Sequence, residues 1–275
     1  MKVNSTRSAV LLAASSRESA RRELADGAVH VWLASEDQFD NAAAAERFSA
    51  LLSDDERARA RGILIEGSRR LHLVACALKR EVLSSYLPGT APADLRFVRG
   101  VAGRPVLAPP HDASGIDFNL AHTRGLVALA LTRGPHLGVD VERCEKIVPL
   151  AVARRFFSTI EADALDALPV DARPRRFLRL WTLKEAYLKA IGTGISGGLG
   201  SATFMIDDAG ACALERAADP DAMRWSFRQF AVGGQHLLAF ARLRLDGSRA
   251  PLVIEWHDFA AGAAGAVALR IEQLI

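Results

Sequence analysis

The sequence predicts an α+β protein built from two α+β subdomains in succession. Helical patterns followed by short, antiparallel-looking strands occur twice along the chain. Each round also contains a helix opened by a capping box, Ser53-Asp-Asp-Glu56 in the first and Ser158-Thr-Ile-Glu161 in the second. The expected partition is a first subdomain at 28–143 and a second at 144–275, joined near residue 143.

The elements follow in order. Residues 1–27 are rich in Ala, Ser and Arg without a sustained apolar period, which predicts a poorly ordered leader or a peripheral helix. Residues 29–33 (VHVWL) alternate as a strand, 41–52 read as a helix, and the box at Ser53 opens another. A longer helix spans about 68–87 and is stopped by Pro88-Gly89. Short β-like runs come next at 95–98, 117–121, 126–132 and 137–141. The second round has a helix near 149–156, the box at Ser158 and a long helix at 173–191, with strands near 202–206, 225–231, 237–245 and 253–256. No repeat of residue identity and no low-complexity linker separates the halves, so close packing between them is expected.

Composition excludes several classes. Of 275 residues half are apolar, 24% charged and 7% aromatic, the balance of an ordinary globular chain rather than a disordered or fibrous one. Three scattered cysteines, Cys76, Cys144 and Cys212, suggest neither a disulfide framework nor a zinc site, and a reducing cytoplasm fits them. The N-terminal apolar run at 9–14 is shorter than a signal-peptide core and far short of the ~20 residues of a membrane span, so neither export nor insertion is implied. Net charge is +3, the isoelectric point is about 9.0, and basic residues gather at Arg57, Arg59, Arg61 and at Arg69, Arg70. Such patches suit a phosphate-bearing ligand or an acidic protein, or are solvated helix faces. A nucleic-acid binder would show a binding module or interleaved aromatics, and neither is present.

Two glycine motifs fail on context. Gly192-Thr-Gly194-Ile-Ser-Gly197 matches GxGxxG, and Gly194-Ile-Ser196-Gly-Gly198 matches GxSxG, but both patterns need an incoming strand and an outgoing helix. Here a helix enters and a strand leaves, so a Gly-rich helix C-cap is expected. The seven histidines form no HExxH pair, and no GxxxxGK[ST] loop is present.

Three other elements carry chemistry together. In Leu137-Gly-Val-Asp140-Val-Glu142 the two acids lie two apart, which on a strand places both carboxylates on one face, either as a charged strand end in water or as a cation site. In Trp181-Thr-Leu-Lys-Glu185-Ala-Tyr-Leu-Lys189 the residues Trp181, Glu185 and Lys189 share a helical stripe, which alone is a routine surface ion pair. Phe118-Asn-Leu-Ala-His122-Thr123 alternates into a histidine at a strand end, more often structural than functional. About 18 residues separate the histidine from the first acid, and about 40 separate the acids from the helix.

In this order the chain resembles the surfactin-type 4'-phosphopantetheinyl transferases over residues 50–210 or so. That family shows a GKP turn, FNxSH[ST], G[IV]D[IV]E, FF[ST]xxE and WxxKEAxxKxxG. The corresponding segments are Gly103-Arg104-Pro105, Phe118 to Thr123, Gly138 to Glu142, Phe156-Phe-Ser-Thr-Ile-Glu161 and Trp181 to Gly192. Arg104 replaces the usual lysine and Ala121 a hydroxyl residue that in the family helps hold a phosphate. The resemblance implies the family fold, two similar α+β subdomains in a pseudo-twofold arrangement with coenzyme A in the cleft between them. It also implies transfer of the 4'-phosphopantetheine arm of coenzyme A to a serine of an apo acyl or peptidyl carrier protein, by a monomer without nucleic acid or membrane.

By motif match Asp140, Glu142 and Glu185 would hold Mg²⁺, with Mn²⁺ an alternative, because such ions combine one or two carboxylates with phosphate oxygens. Lys189 and His122 would orient phosphate, with Arg70, Arg104 and Lys184 as further cations for the nucleotide end, and Glu185 is nominated to accept the serine proton. A non-catalytic binder of coenzyme A or of the carrier is a rival reading, against which the intact acids argue. A basic nucleic-acid binder is the other rival, and steep salt dependence of binding to generic DNA would mark it.

Overall fold

The computed structural model describes residues 9–11, 22–36, 42–100, 103–134, 136–146, 150–194, 198–207, 212–217, 222–244, 253–259 and 270–274. In chain order the strands and helices are β1 (Ala9–Leu11), β2 (Ala28–Ser35), α1 (Ala42–Leu51), α2 (Asp54–Gly62), α3 (Glu66–Tyr86), β3 (Phe97–Arg99), β4 (Pro105–Leu107), β5 (Ile116–Thr123), β6 (Leu126–Arg133) and β7 (Leu137–Arg143). The chain continues through α4 (Ala151–Phe156), α5 (Thr159–Asp166), α6 (Arg173–Ile191), β8 (Ala202–Ile206), β9 (Cys212–Ala217), β10 (Trp225–Val232), β11 (His236–Leu243), β12 (Val253–Asp258) and β13 (Arg270–Gln273).

Period-2 alternation decides the layering. A four-stranded sheet in the order β12-β2-β6-β5 faces a five-stranded sheet in the order β1-β13-β10-β11-β7. Val29, Val31 and Leu33 of the first sheet meet Val139, Val141 and Phe240 of the second in a core between them. The intervening residues of each strand point outward. Trp32 and Leu129 pack beneath α3 through Val74, Leu78 and Leu83. Ala239 and Ala241 pack beneath α6 through Leu183, Ala186 and Tyr187. The order is therefore helix, sheet, sheet, helix.

The two halves repeat one plan. The strand order β2-β6-β5 in one sheet corresponds to β7-β11-β10 in the other, each closed by a hairpin. Both capping boxes form as expected: Ser53 Oγ accepts from Glu56 N at 3.3 Å and Ser158 Oγ accepts from Glu161 N at 3.3 Å. Each box glutamate also ties down a buried cation of the following long helix. Glu56 takes Lys79 at 2.8 Å and Arg80 at 2.7 Å, and Arg80 donates onward to the carbonyls of Pro92 and Leu95. Glu161 takes Lys184 at 2.7 Å, and Lys184 donates onward to the carbonyls of Leu199 and Ala202. In both halves a two-stranded ribbon follows, β3-β4 and then β8-β9.

Three sequence expectations change. Leu137–Arg143 pairs with β11, so the plan restarts at the β6–β7 turn rather than near residue 143. Val253–Asp258 returns to the first sheet, parallel to β2, which links the halves. Within the expected leader, Ala9–Leu11 forms a strand against β13, while 1–8 and 12–21 lie outside the described residues. Asn41, Pro149 and Leu245, at the ends of expected elements, lie outside them too, as do Ile195 to Gly197 of the glycine motifs. Gly192 caps α6 with φ +75°, the C-cap role expected for it.

Glu56 supplies a pH test of the first buried ion pair. Burial alone would raise its carboxyl, but Lys79 and Arg80 outweigh that and hold it at about 2, below its ordinary 4.5. A depressed carboxylate stabilises the fold above its unfolded value and ceases to do so as pH falls toward its folded one. Glu56→Gln is expected to lose on the order of 3 kcal/mol at pH 7. The gap to the wild type should narrow as pH is lowered from 5 toward 3 in urea titrations; a pH-independent gap would remove the ion pair from the account.

Candidate active site

Strand β7 and helix α6 touch backbone to backbone. Gly138 permits this, because a Cβ there would lie 1.9 Å from Ala186 O and 2.6 Å from Ala190 N. Asp140 and Glu142, two and four residues on, share the face of Gly138 and so come beside Glu185 and Lys189 on α6, while Val139 and Val141 fill the core behind. Lys189 Nζ bonds Asp140 Oδ1 at 2.7 Å and Val139 O at 3.2 Å. Lys146 pairs with Glu142 and sits 5.6 Å from the Trp181 ring.

The opposite edge of β7 is closed by side chains of β5. Asp117 Oδ2 accepts from Leu137 N at 2.9 Å, and Asn119 Oδ1 accepts from Val139 N at 2.8 Å. These bonds join the two sheets where their edges meet, and they bring the end of β5, with His122, toward the acids. The His122 ring is exposed at the surface. Partial withdrawal from water, then the charges of Lys189 and His72, lower its pKa, while Asp140 opposes them.

Electrostatics distinguish the carboxylates. Asp140 and Glu142 each have a lysine partner, whereas the Glu185 carboxyl is pushed up to about 7, first by burial and then by Asp140, against the pull of Lys189. Asp140 Oδ2 and Glu185 Oε1 are buried with no hydrogen-bond partner. Buried polar atoms are nearly always satisfied, so two orphaned carboxylate oxygens on one seam mark a place suited to a cation with hard oxygen preference. The three acids do not close into a tight cluster. Among the described residues the group of three acidic, histidine or cysteine side chains with ligand atoms within 4.8 Å of one another is a different one, His30, Glu255 and His257. Glu142 turns instead toward Lys146.

Of the expected cations, Lys189 and His122 reach the seam. Arg70 stands at its rim, 3.3 Å from Glu36, whose other oxygen accepts from Gly125 N in the turn after His122. Two placements are corrected. Lys184 points into the second core, 1% exposed, with its protons directed at Glu161, Leu199 O and Ala202 O, so it is no part of a phosphate wall. Arg104 is a bracket: it holds Asp117 at 2.5 Å, Phe118 O at 2.6 Å and Lys189 O at 3.3 Å, which fixes β5 against α6 and leaves only a buried Nε. Asp117, Asn119 and Gly138, to which the sequence reading assigned no role, are the residues that set the seam's geometry.

Similarity to known proteins centres on this part of the chain. A family model described as the 4'-phosphopantetheinyl transferase superfamily matches residues 136–241, from the start of β7 through most of β11. The chain is 35% identical over 169 residues to the 4'-phosphopantetheinyl transferase HetI of a Nostoc species, covering 61% of this chain and 70% of that protein. It is 30% identical over 228 residues to a phosphopantetheinyl transferase of a Thraustochytrium species, 78% of each chain. To the 4'-phosphopantetheinyl transferase Sfp of Bacillus subtilis it is 30% identical over 170 residues, 62% of this chain and 73% of that one.

The inward placement of Lys184 has a measurable consequence. Lys184→Ala leaves Glu161 charged and buried, which typically costs about 3 to 5 kcal/mol. Chemical denaturation should register that loss, while calorimetry on the folded variant should find coenzyme A binding unchanged. Intact stability with weakened coenzyme A binding would return Lys184 to the ligand wall.

Proposed function

Because the chain belongs to the 4'-phosphopantetheinyl transferase superfamily, we propose that the seam between β7, α6 and the end of β5 is where it carries out that transfer. The protein is an enzyme, a transferase that moves the 4'-phosphopantetheine group to a carrier protein, with coenzyme A as the family's donor. The reading of the site rests on one observation above others, the two orphaned carboxylate oxygens Asp140 Oδ2 and Glu185 Oε1 beside Lys189.

Asp140 and Glu185 offer oxygens suited to Mg²⁺, or Mn²⁺ in its place, and together with Glu142, turned from Lys146, would hold it. Bound there, the ion would neutralise charge on the pyrophosphate oxygens of coenzyme A. Lys189, once shared between Asp140 and phosphate, supplies a mobile positive charge at the same place, and His122 offers a ring nitrogen from the facing strand. Arg70, paired with Glu36, would meet the nucleotide end. Arg104 acts through position alone, by holding β5 and α6 in register.

The chemical step transfers the phosphopantetheinyl group from one oxygen to another. The carrier serine Oγ forms a bond to the β-phosphorus, the bond from that phosphorus to the bridging oxygen breaks, and 3',5'-adenosine bisphosphate departs. The serine proton passes to Glu185, directly or through water. Beside a bound divalent ion Glu185 would be held as the carboxylate, the form that accepts a proton. The acceptor is an apo acyl or peptidyl carrier, and the enzyme works as a monomer in the cytoplasm. Among the described residues no helix is long and apolar enough to cross a membrane.

Incubation with coenzyme A and a panel of apo carriers, read by intact mass, should add one phosphopantetheine per carrier only with Mg²⁺ or Mn²⁺. Undiminished transfer in excess chelator, or none to any carrier, would overturn the reading. Glu185→Gln keeps shape but removes the base, and kcat should fall by roughly 10² to 10⁴ even at saturating Mg²⁺. Near-normal kcat at high Mg²⁺ would limit Glu185 to holding the ion.

A further inference from the structure

The first half carries an unexplained cluster on the outer face of its sheet. The parallel register of β2 and β12 sets His30 opposite Glu255 and Trp32 opposite His257. Alternation turns all four side chains outward, toward the end of α3 that holds Tyr86. His30 Nε2 lies 3.4 Å from Glu255 Oε2, and His257 Nε2 lies 3.9 Å from the same oxygen. The three ligand atoms all fall within 4.8 Å of one another. Zinc bonds of about 2.0 to 2.2 Å in tetrahedral geometry separate neighbouring donors by roughly 3.3 to 3.5 Å, so small side-chain adjustments suffice.

Each imidazole is oriented by a neighbour. His30 Nδ1 is 2.7 Å from Tyr86 Oη, which also accepts from Trp32 Nε1 at 3.2 Å. A second contact of this kind commonly fixes the tautomer of a ligating histidine. The His257 ring stacks on Trp32 at 4.4 Å. His30 is only 3% exposed, and Nε2 of both rings is buried without a hydrogen-bond partner. Burial lowers the pKa of both rings, that of His257 to about 4, which favours the uncharged form with a lone pair to give. Arg22, whose guanidinium lies 4.6 Å from the Trp32 ring, opposes a cation here, and the Glu255 carboxylate favours one.

The place is the counterpart of the acidic seam. His30 pairs with Leu131, the sixth residue of β6, as Gly138 pairs with Ala241, the sixth residue of β11. By that correspondence Trp32 occupies the position of Asp140. The equivalent strand face thus presents nitrogen ligands in one half and carboxylates in the other.

We propose that His30, Glu255 and His257 form a second metal site, for a zinc-class divalent ion, that clips edge strand β12 to β2. Two imidazole nitrogens and one carboxylate suit such an ion better than Mg²⁺, which prefers oxygen. The clip would join segments 225 residues apart in the chain, and β12 has no other strand partner among the described residues.

The full chain, stripped with chelator and titrated separately with Zn²⁺ and Co²⁺, tests this. One tightly bound zinc per chain, a thermal midpoint raised by zinc, and visible Co²⁺ bands of a four-coordinate site are expected. All three should vanish in Glu255→Gln, a half-exposed position that the fold tolerates, and in His257→Asn; if the latter fails to fold, Glu255→Gln decides. Zinc should still bind in Glu185→Gln and Cys144→Ser. Absence of tight zinc in the wild type, or binding that survives Glu255→Gln but is lost in Glu185→Gln or Cys144→Ser, would overturn the proposal.

Discussion

The contact between the backbone of Gly138 and helix α6 is the constraint on which the second half depends. No side chain fits there, since its first carbon would fall 1.9 Å from the Ala186 carbonyl oxygen, far inside van der Waals contact. The strand must therefore lie against the helix at one fixed height. Asp140 and Glu142 follow on the same face by alternation, and Glu185 and Lys189 follow from the helical repeat. The buried core behind β7, through Val139 and Val141, sets the strand's other face. Structure and chemistry here are one arrangement: the pattern that packs the strand also assembles the carboxylates.

The edges of the two sheets meet at this point, which explains why the seam is polar. An edge strand leaves backbone N–H groups without a ladder partner. Asp117 and Asn119 accept from two of them, and Arg104 holds Asp117 in turn. Burying such groups unsatisfied would cost about 1 to 3 kcal/mol each, so this polar tie does more for the junction than any exposed ion pair nearby. It also brings His122 from the first half to the acids of the second. The repeated plan, with a capping-box glutamate gripping a buried cation in each half, supplies two equivalent units for the tie to hold together.

Much of this was legible in the residues. Both capping boxes, the long helices and the acids of β7 follow from local pattern, because each is specified within a few positions of the chain. What escaped depends on direction or distance. Lys184 precedes Glu185 by one residue, about 100° around the helix, and shares its stripe with Leu180 and Leu188, both buried. That apolar stripe was the available signal that Lys184 faces inward. Arg104 could not be placed from sequence, since its partners Asp117 and Lys189 are distant in the chain and no period connects them. The assignment of β7 to the second sheet and the return of β12 to the first are long-range pairings of the same kind. Gly138 stood in view within its motif, but a glycine in a strand does not by itself say what approaches it.

The most direct test is the equilibrium unfolding free energy of Gly138→Ala measured beside that of Val139→Ala. The second deletes core methyl groups, a change that ordinarily dominates strand energetics. The first deletes nothing and adds one carbon. If the β7–α6 contact governs this half, Gly138→Ala will be the more destabilised of the two, because strand and helix backbones must separate to admit it. A Gly138→Ala protein as stable as the wild type would contradict the account.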